Sequence, residues 1–561
     1  MNIRRLAQTG VLAVVAVVIV GVSFAQSAPD DVKELKEQVA KQQRQIEELT
    51  RRLDQLTKTP SQPGDETASQ PGTPSNSAAP EPVSKDTRST LFNRPLVAST
   101  TPMVPPMPVN VSPSPIINSS AQGAPESAPL QFKLGDAYFT PLGFMDFTSV
   151  YRNHDAGGGI GTSFGSIPYG NVYQNKLNED RLSMQNSRVG VRIDALVKGA
   201  HVIGYVEADF LGNNAASVAV TSNSNTLRSR VYWVDISKSQ WEVLAGQTWS
   251  LITPGRTGIS PLPGNIFYSQ NIDVNYQAGL VWGRIPELRF VYHPSSKMAF
   301  AIALDNQEQY VGGSGGGGTT VFPSTLTATY PGAELNNANT TVSAPAVFPD
   351  TIVKAAFDPT THVHFELGGV VREFRVWNPN NSNHYTSAGG GGFANLNVEL
   401  VKGFRLLTNN YYSDGGGRYI FGLAPDLVAH SDGSLSLIHS GSTVSGFEWT
   451  IKNTLVYAYY GGVYIQRNVV IDTTVAKPVL VGYGYTGSSS GQNRSIQEAT
   501  FGFNHTIWRD AKWGAVNFMG QYSYLTRDPW YVATGQPSNA NVNMLFFDLR
   551  YTLPGSAPAI H

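Results

Sequence analysis

Charged side chains recur at every second position in several short segments of this sequence. The segment 188–195 places Arg188, Arg192 and Asp194 on one parity, and valine, isoleucine and alanine on the other. A period of two is that of a β-strand, so such a segment has one charged face and one apolar face. Where lipid covers the apolar face, the charged face must line a water-filled interior and stay ionised there. Opposed positive and negative walls produce a transverse field that aligns charged or dipolar solutes.

The same parity rule extends to neighbouring segments and gives a set of candidate pore-lining residues. An alternative remains open for each of them, because arginines and acids that pair across strands could merely hold the wall together. Both roles are compatible. The candidates are Arg188, Arg192, Asp194, Tyr205, Glu207, Asp209, Arg228, Arg230, Tyr232, Glu287, Arg289, His364, Glu366 and Arg372.

A second candidate element is the long segment 250–283. It is rich in proline, glycine and aromatic residues, and its apolar content is high for a loop tip in water. We expect it to fold into the barrel and narrow the pore, with Arg256, Phe267, Tyr268 and Asp273 at the constriction. Packing against a neighbouring subunit is the alternative.

The elements that must position these residues are sixteen runs of alternating apolar and polar residues. The gaps between the runs are alternately long and short, which predicts an antiparallel transmembrane β-barrel with its short turns on one side of the membrane. The fold class is therefore all-β, with sixteen strands. The predicted strands are 142–151, 182–197, 201–211, 227–237, 241–249, 284–293, 298–305, 351–358, 362–375, 391–401, 404–412, 444–451, 454–466, 496–507, 514–526 and 543–553.

Two features of this assignment leave alternatives open. Pro286 would break a ladder hydrogen bond in the sixth strand, so either a bulge lies there or the strand begins after it. If 276–283 formed its own strand, a lead-in strand near 132–139 would raise the number to eighteen. Sixteen strands keep both chain ends on the periplasmic side.

Composition excludes several classes of function. Net charge is −1 and charged residues make up 14% of the chain, so nucleic acid is not an expected partner. The chain has no cysteine, hence no disulfide and no thiolate metal site. It contains no HExxH, GxxxxGK[ST] or GxSxG motif, and the glycine runs 312–318 and 389–392 lack a following Lys-Ser/Thr. We therefore expect no enzyme activity, no cofactor and no metal, and flexible loop tips at the glycine runs.

The chain before the barrel has three predicted parts. Residues 1–25 resemble a cleaved secretory signal peptide, with a basic start and an apolar stretch of about a dozen residues. Residues 31–58 show four heptads with Val or Ile at most first positions and Leu at most second positions, which predicts a coiled coil. Residues 59–129 hold 15 of the 35 prolines and are predicted to be an extended or disordered linker. The barrel domain spans 130–553, and 554–561 form a C-terminal tail.

Six stretches in and beside the predicted strands resemble the DcaP-like trimeric porins of Gram-negative outer membranes. The resemblance implies a homotrimer of sixteen-stranded barrels in outer-membrane lipid and lipopolysaccharide, with an N-terminal coiled coil in the periplasm. It also implies passage of small, often negatively charged solutes such as dicarboxylates. The long linker and the tail after the last strand depart from the family, and the loops do not match closely enough to transfer a substrate. The stretches are Ser187–Gly190, Val206–Phe210 with Gly212, Leu227–Tyr232, Ala245–Ser250, Gly416–Tyr419 and Tyr459–Tyr464.

Three hypotheses about function follow from these observations. The leading one is passive diffusion through an outer-membrane porin. The second is an outer-membrane tether, in which the coiled coil and linker reach toward the cell wall and the barrel is only an anchor with an occluded lumen. The third, an enzyme built on a barrel, requires a Ser/His/acid cluster that the ten histidines do not form in the sequence.

Overall fold

The computed structural model describes residues 130–157, 159–212, 225–267, 269–313, 316–327, 348–378 and 380–554. The predicted signal peptide (1–25), coiled coil (31–58), linker (59–129) and nearly all of the tail (554–561) lie outside these residues and stay predictions. Tyr268 is also outside them.

The described residues form a closed barrel of sixteen antiparallel strands, which confirms the predicted strand number. The first and last strands pair from Phe144 with Thr552 to Arg152 with Met544, and this pairing closes the wall. Closure removes the free sheet edges that lipid could not satisfy. In chain order, the strands of the wall and of its small hairpins are β1 (Phe132–Leu134), β2 (Ala137–Arg152), β3 (Glu179–Ser183), β4 (Arg188–Val197), β5 (Ala200–Asp209), β6 (Arg228–Lys238), β7 (Trp241–Trp249), β8 (Arg284–Ser295), β9 (Met298–Asp305), β10 (Asp350–Thr360), β11 (Val363–Asn378), β12 (Asn383–Val401), β13 (Phe404–Asp414), β14 (Leu427–Ala429), β15 (Leu435–Leu437), β16 (His439–Ile451), β17 (Thr454–Ile465), β18 (Asn468–Asp472), β19 (Val479–Tyr483), β20 (Asn493–Asp510), β21 (Gly514–Pro529) and β22 (Ala540–Thr552).

Several of these labelled strands are not separate strands of the wall. β3 and β4 both pair with β2 and together make the second barrel strand, interrupted at 184–187. β1 pairs with the beginning of β2 as a small lead-in. The hairpins β14–β15 and β18–β19 belong to the connections β13–β16 and β17–β20. Residues 276–283 form no strand, so the eighteen-stranded alternative is wrong.

Connections at one end of the barrel are turns of two or three residues, as the sequence predicts, whereas those at the other end are mostly long. One predicted loop is replaced by a taller hairpin, because β11 continues to Asn378 and β12 begins at Asn383. Only 379–382 join them. The glycine run Gly389–Gly392, expected in or beside a long loop as a flexible tip, lies inside β12.

Pro286 lies within β8, with neither the bulge nor the later strand start that the sequence predicts. β8 begins before it at Arg284, and its register with β7 is continuous from Arg284 to Tyr292. On the other side, the Pro286 carbonyl accepts the N–H of Asn306, which lies just beyond the end of β9. The proline therefore occupies the last position of the ladder between β8 and β9, where its missing N–H disrupts no interior hydrogen bond.

The outer surface carries a belt of exposed apolar side chains, as a wall facing lipid requires. No helix among the described residues is long and apolar enough to cross a membrane. Members of the belt are Val189, Val206, Val234, Ile236, Leu288, Phe290, Ile302, Leu304, Val353, Leu367, Leu545, Phe547 and Leu549.

Candidate functional site in the barrel interior

The segment 250–283, called the inner loop below, crosses the barrel interior. It leaves β7 and is bound by side chains of the opposite wall. The N–H of Gln270 donates to the hydroxyl of Tyr459 on β17 at 3.2 Å, and the N–H of Ile272 donates to the amide oxygen of Gln521 on β21. The N–H of Ala278 donates to Glu498 on β20 at 2.8 Å. These contacts fix the loop inside the lumen.

Of the residues predicted for the constriction, the structure brings Arg256 and Phe267 together and places Asp273 among other partners. Arg256 makes two hydrogen bonds of 2.9 Å to Glu448 on β16, and its guanidinium lies 4.9 Å from the ring centroid of Phe267. Asp273 is fully buried and accepts the N–H groups of Thr162 and Asn275. Arg256 is thus the accessible charge of the set, while Asp273 organises the loop backbone. Tyr268 lies outside the described residues.

An ion-pair network on β4, β5 and β6 brings together five of the predicted pore residues. Arg230 binds Glu207 at 2.5 Å and Asp209 at 2.8 Å, and all three side chains are almost completely buried. Arg228 binds Asp209 at 2.7 Å, and Arg188 approaches Glu207 at 3.4 Å. Three cations therefore share two carboxylates.

The remaining predicted charges belong to other interior pairs. Arg192 binds Asp194 at 2.7 Å, and Asp194 also contacts His201. Arg289 binds Glu287 at 2.6 Å. Two further networks on β10 and β11 complete the set. They are Lys354–Glu366 with His364, and Arg372 with Asp350 and Asp426.

Tyr232 is a correction to the predicted set, because its side chain faces outward. Glu207 pairs with Val231 and Ala208 with Ser229, so one extra residue of β6, Arg230, forms a bulge. A bulge shifts the alternation by one position. Beyond it, Trp233 points inward and stacks on Tyr205 at 5.2 Å, while Tyr232 is exposed beside Val234.

Arg284, the first residue of β8, was missed by the sequence analysis. Its guanidinium lies 5.6 Å from the ring centroid of Trp249 and 5.8 Å from that of Trp282, next to Arg230 and Arg228. Its Nη1 atom is buried without a hydrogen-bond partner among the described residues. Parity could not identify it, because Arg284 shares the parity of the outward Leu288. Its signal in the sequence was only a basic residue at the loop–strand junction.

The ion pairs expose their two partners unequally. The side chain of Arg228 is 23% exposed against 0% for Asp209, and that of Arg256 is 22% exposed against 8% for Glu448. Arg192 and Arg418 are likewise more exposed than the carboxylates they contact. In these pairs the carboxylates lie against the wall and the guanidinium groups face the accessible space.

No group of three or more histidine, cysteine or carboxylate side chains is placed to hold a metal ion in the part of the chain that the structure describes. The interior is instead a set of fixed charges and hydrogen-bonding groups inside a closed wall. With the apolar belt outside, this defines a sixteen-stranded transmembrane barrel of the porin type.

Comparison with known proteins agrees with this architecture. No protein-family profile and no curated protein sequence matches the chain. A solved structure similar to it is the outer membrane channel DcaP of Acinetobacter baumannii, at 16% identity and a TM-score of 0.52, covering 75% of this chain and 99% of that one. At this identity the likeness shows a shared fold, and it confirms at that level the resemblance found in the sequence.

Two weaker likenesses are to an anion-selective porin from Comamonas acidovorans and to OmpT of Vibrio cholerae. The first is 13% identical with a TM-score of 0.40, covering 74% of this chain and 99% of that one. The second is 11% identical with a TM-score of 0.39, covering 75% and 99%. Scores this low support no further argument.

Proposed function

We propose that this protein is a channel of a Gram-negative outer membrane through which small hydrophilic solutes diffuse passively, with a preference for anions such as dicarboxylates. The closed barrel, apolar outside and charged inside, supports an aqueous path rather than a chemical reaction. Selection then depends on the width left by the inner loop and on the charges facing the path.

The observation that carries the anion preference is the unequal exposure of the ion pairs. A solute in the interior meets the guanidinium groups of Arg228 and Arg256 before it meets the carboxylates behind them. Arg284 adds a guanidinium beside Trp249 whose Nη1 atom is buried without a hydrogen-bond partner among the described residues. Anions are therefore attracted into the path, and because arginine geometry matches a carboxylate, dicarboxylates are a suitable class of solute.

Ion selectivity measured in planar bilayers tests this proposal. The double variant Arg228→Gln, Arg284→Gln removes two cations without disturbing the pairing of Arg230 with Asp209. We expect the anion-to-cation permeability ratio, obtained from the reversal potential in a salt gradient, to fall about two-fold. Lys512→Gln, in the exposed turn 511–513, is the control for a charge lost outside the lumen. An unchanged ratio in the double variant would contradict the anion preference.

A second candidate, the tether with an occluded lumen, is favoured by one observation. Four interior arginines, Arg152, Arg230, Arg289 and Arg372, are almost wholly inaccessible to solvent, as expected if the lumen is occluded. In this case the barrel is an anchor, and the predicted periplasmic coiled coil and linker reach the cell wall. Single-channel recording of the purified protein separates the two candidates. Stable open steps would support the channel, and a bilayer that contains the protein but shows no steps would support the tether.

A further inference from the structure

Two neighbouring side chains at the end of the inner loop bury N–H donors that have no hydrogen-bond partner. The donors are the Nη1 atom of Arg284 and the Nε1 atom of Trp282, and neither has an acceptor among the described residues. The guanidinium group lies 5.8 Å from the centroid of the Trp282 ring. Guanidinium and indole N–H groups can only donate, so both atoms need an acceptor. Buried donors of this kind are rare in native proteins, and a bound ion or water molecule is one explanation for them.

The surrounding structure holds both side chains in place. The backbone N–H of Trp282 donates to the carbonyl of Tyr419 at 3.0 Å, and its ring stacks on Phe421 with the centroids 5.2 Å apart. Arg284 pairs in register with Trp249 on β7, and the rings of Trp249 and Trp282 pack edge to face at 5.8 Å. Trp282 is only 8% exposed and Trp249 only 2%. The two donors are therefore fixed near each other and do not turn toward bulk water.

The charges around these donors are unbalanced in favour of cations. Arg284 lies next to Arg228 and Arg230. The nearby carboxylates of Glu207 and Asp209 already bind three other guanidinium groups. In this part of the interior, four cations therefore share two carboxylates. A buried charge without compensation is costly, and the faces of the aromatic rings offset only part of that cost.

We propose that a small inorganic anion of the size of chloride binds between Arg284 and Trp282. At about 3 Å from each donor, one ion accepts both N–H groups and balances part of the excess positive charge. A water molecule suits the position less well, because it must also donate its own hydrogens. An organic acid is too large for a space with such enclosed aromatic walls. The side chain of Arg228, 23% exposed, connects the site with the accessible interior, so the ion can exchange.

This anion site does not depend on the proposed passage of solutes. Its ion is held by two buried donors, whereas a diffusing solute meets the exposed guanidinium groups of Arg228 and Arg256. The interior of a channel and that of a tether could both hold such an ion. Loss of ion selectivity and loss of the bound ion are also measured separately, so the failure of one leaves the other standing.

Anomalous diffraction from crystals of the full-length protein grown in sodium bromide tests the site directly. Bromide resembles chloride in size and charge, and it scatters anomalously. We expect a peak about 3 Å from both donor atoms in the wild type. The peak should weaken in Trp282→Phe, which removes one donor and keeps an aromatic ring. A water molecule at this position, or bromide peaks only elsewhere, would overturn the proposal.

The stability of the folded barrel in detergent gives the affinity for bromide. Its midpoint temperature of unfolding should rise as bromide replaces gluconate, an anion too large for the site, at constant ionic strength. Trp282→Phe should raise the half-saturating bromide concentration about ten-fold, because one hydrogen bond to a charged group is lost while the charge of the protein stays the same. Arg284→Met should abolish the bromide dependence.

The matched controls for these variants lie in the exposed turn 511–513. Trp513→Phe and Lys512→Met make the same changes in side-chain type or charge away from the site, and both should keep the half-saturating concentration of the wild type. Equal concentrations in the wild type and Trp282→Phe would overturn the proposal. So would a bromide dependence that persists in Arg284→Met. If Arg284→Met does not fold, the comparison between Trp282→Phe and Trp513→Phe decides.

Discussion

From β4 to β11 the inner surface carries mainly arginines and carboxylates, whereas from β12 to β21 it carries mainly amides, hydroxyls and tyrosines. We call these the charged half and the neutral half. The charged half holds the networks around Arg230, Arg289 and Arg372. Inward residues of the neutral half include Asn395, Asn397, Asn409, Ser413, Ser440, Tyr457, Tyr459, Asn504, Asn517, Gln521 and Ser523.

The inner loop contacts both halves. It begins at the end of β7 in the charged half and reaches across to Tyr459, Glu498 and Gln521 in the neutral half. Carboxylates of the charged half bind it as well, because the N–H groups of Leu251, Gly255 and Gly258 donate to Glu287, Glu366 and Asp358. The inner loop is therefore held from both sides of the barrel, by carboxylates at its beginning and by a mixture of carboxylate, amide and hydroxyl groups farther along.

The outer surface follows the same division. The exposed side chains of β4 to β11 are mainly Val, Ile, Leu and Phe, whereas the outward side chains of β12 to β17 include Ala394, Thr408, Asn410, Thr443 and Ser445.

Shortening the inner loop should produce the largest effect and tests the division directly. Deleting 257–272 removes cross-section from the lumen while leaving the wall hydrogen bonds intact. Single-channel conductance should rise about two-fold or more. Deleting the sixteen residues 331–346 from the connection 306–349 is the length-matched control and should change conductance less. A rise in the control alone would place the constriction in that other connection.

The sequence allowed prediction of the wall because alternation follows directly from strand geometry. All sixteen predicted segments form strands of the barrel, and the last, with Phe547 outward and Asp548 inward, needed no other information. Where the geometry is interrupted, parity fails. The bulge at Arg230 turns the side chain of Tyr232 to the outer surface. At the junction of loop and strand, Arg284 points inward although alternation along β8 would place it outward.

The neutral half could not be predicted in this way. Asn and Thr side chains face either surface, so Asn409 inside and Asn410 outside look alike in the sequence. The upper part of the β11–β12 hairpin has the same problem, since Thr386 to Gly392 show no apolar alternation. Only the pairing of that segment with β11 reveals it as strand.

Removing the central cation of the charged half should give the next largest effect. Arg230→Met leaves Glu207 and Asp209 buried with fewer counterions, which we expect to lower the free energy of unfolding by about 3–5 kcal/mol. Arg228→Met is the matched control, because its side chain is partly hydrated and Asp209 keeps Arg230, so the loss should be about 1 kcal/mol. Guanidinium unfolding in detergent measures both. Equal losses would show that the network is not organised around Arg230.

Deleting the predicted coiled coil and linker should affect the barrel less. Without residues 26–129 we expect a folded, heat-modifiable barrel in detergent that still forms trimers through its barrel walls. Size-exclusion chromatography with light scattering gives the mass. Recovery of only unfolded protein would contradict the domain division, and a folded monomer would mean that the coiled coil alone holds the assembly.

The smallest effect is expected at the hairpin β18–β19, in the connection between two strands of the neutral half. Burial alone would raise the pKa of Asp472, but hydrogen bonds from Ser324 and Thr474 lower it to about 2. A carboxyl whose pKa is lower in the folded state contributes stability above its ordinary value of 3.8, and this contribution is lost as pH falls toward about 2. As pH falls from about 4 to about 2, pepsin cleavage near the hairpin should therefore accelerate more in the wild type than in Asp472→Asn. The rate of cleavage elsewhere in the chain is the internal reference. Parallel pH profiles for the two proteins would show that Asp472 does not hold the hairpin to the segment around Ser324.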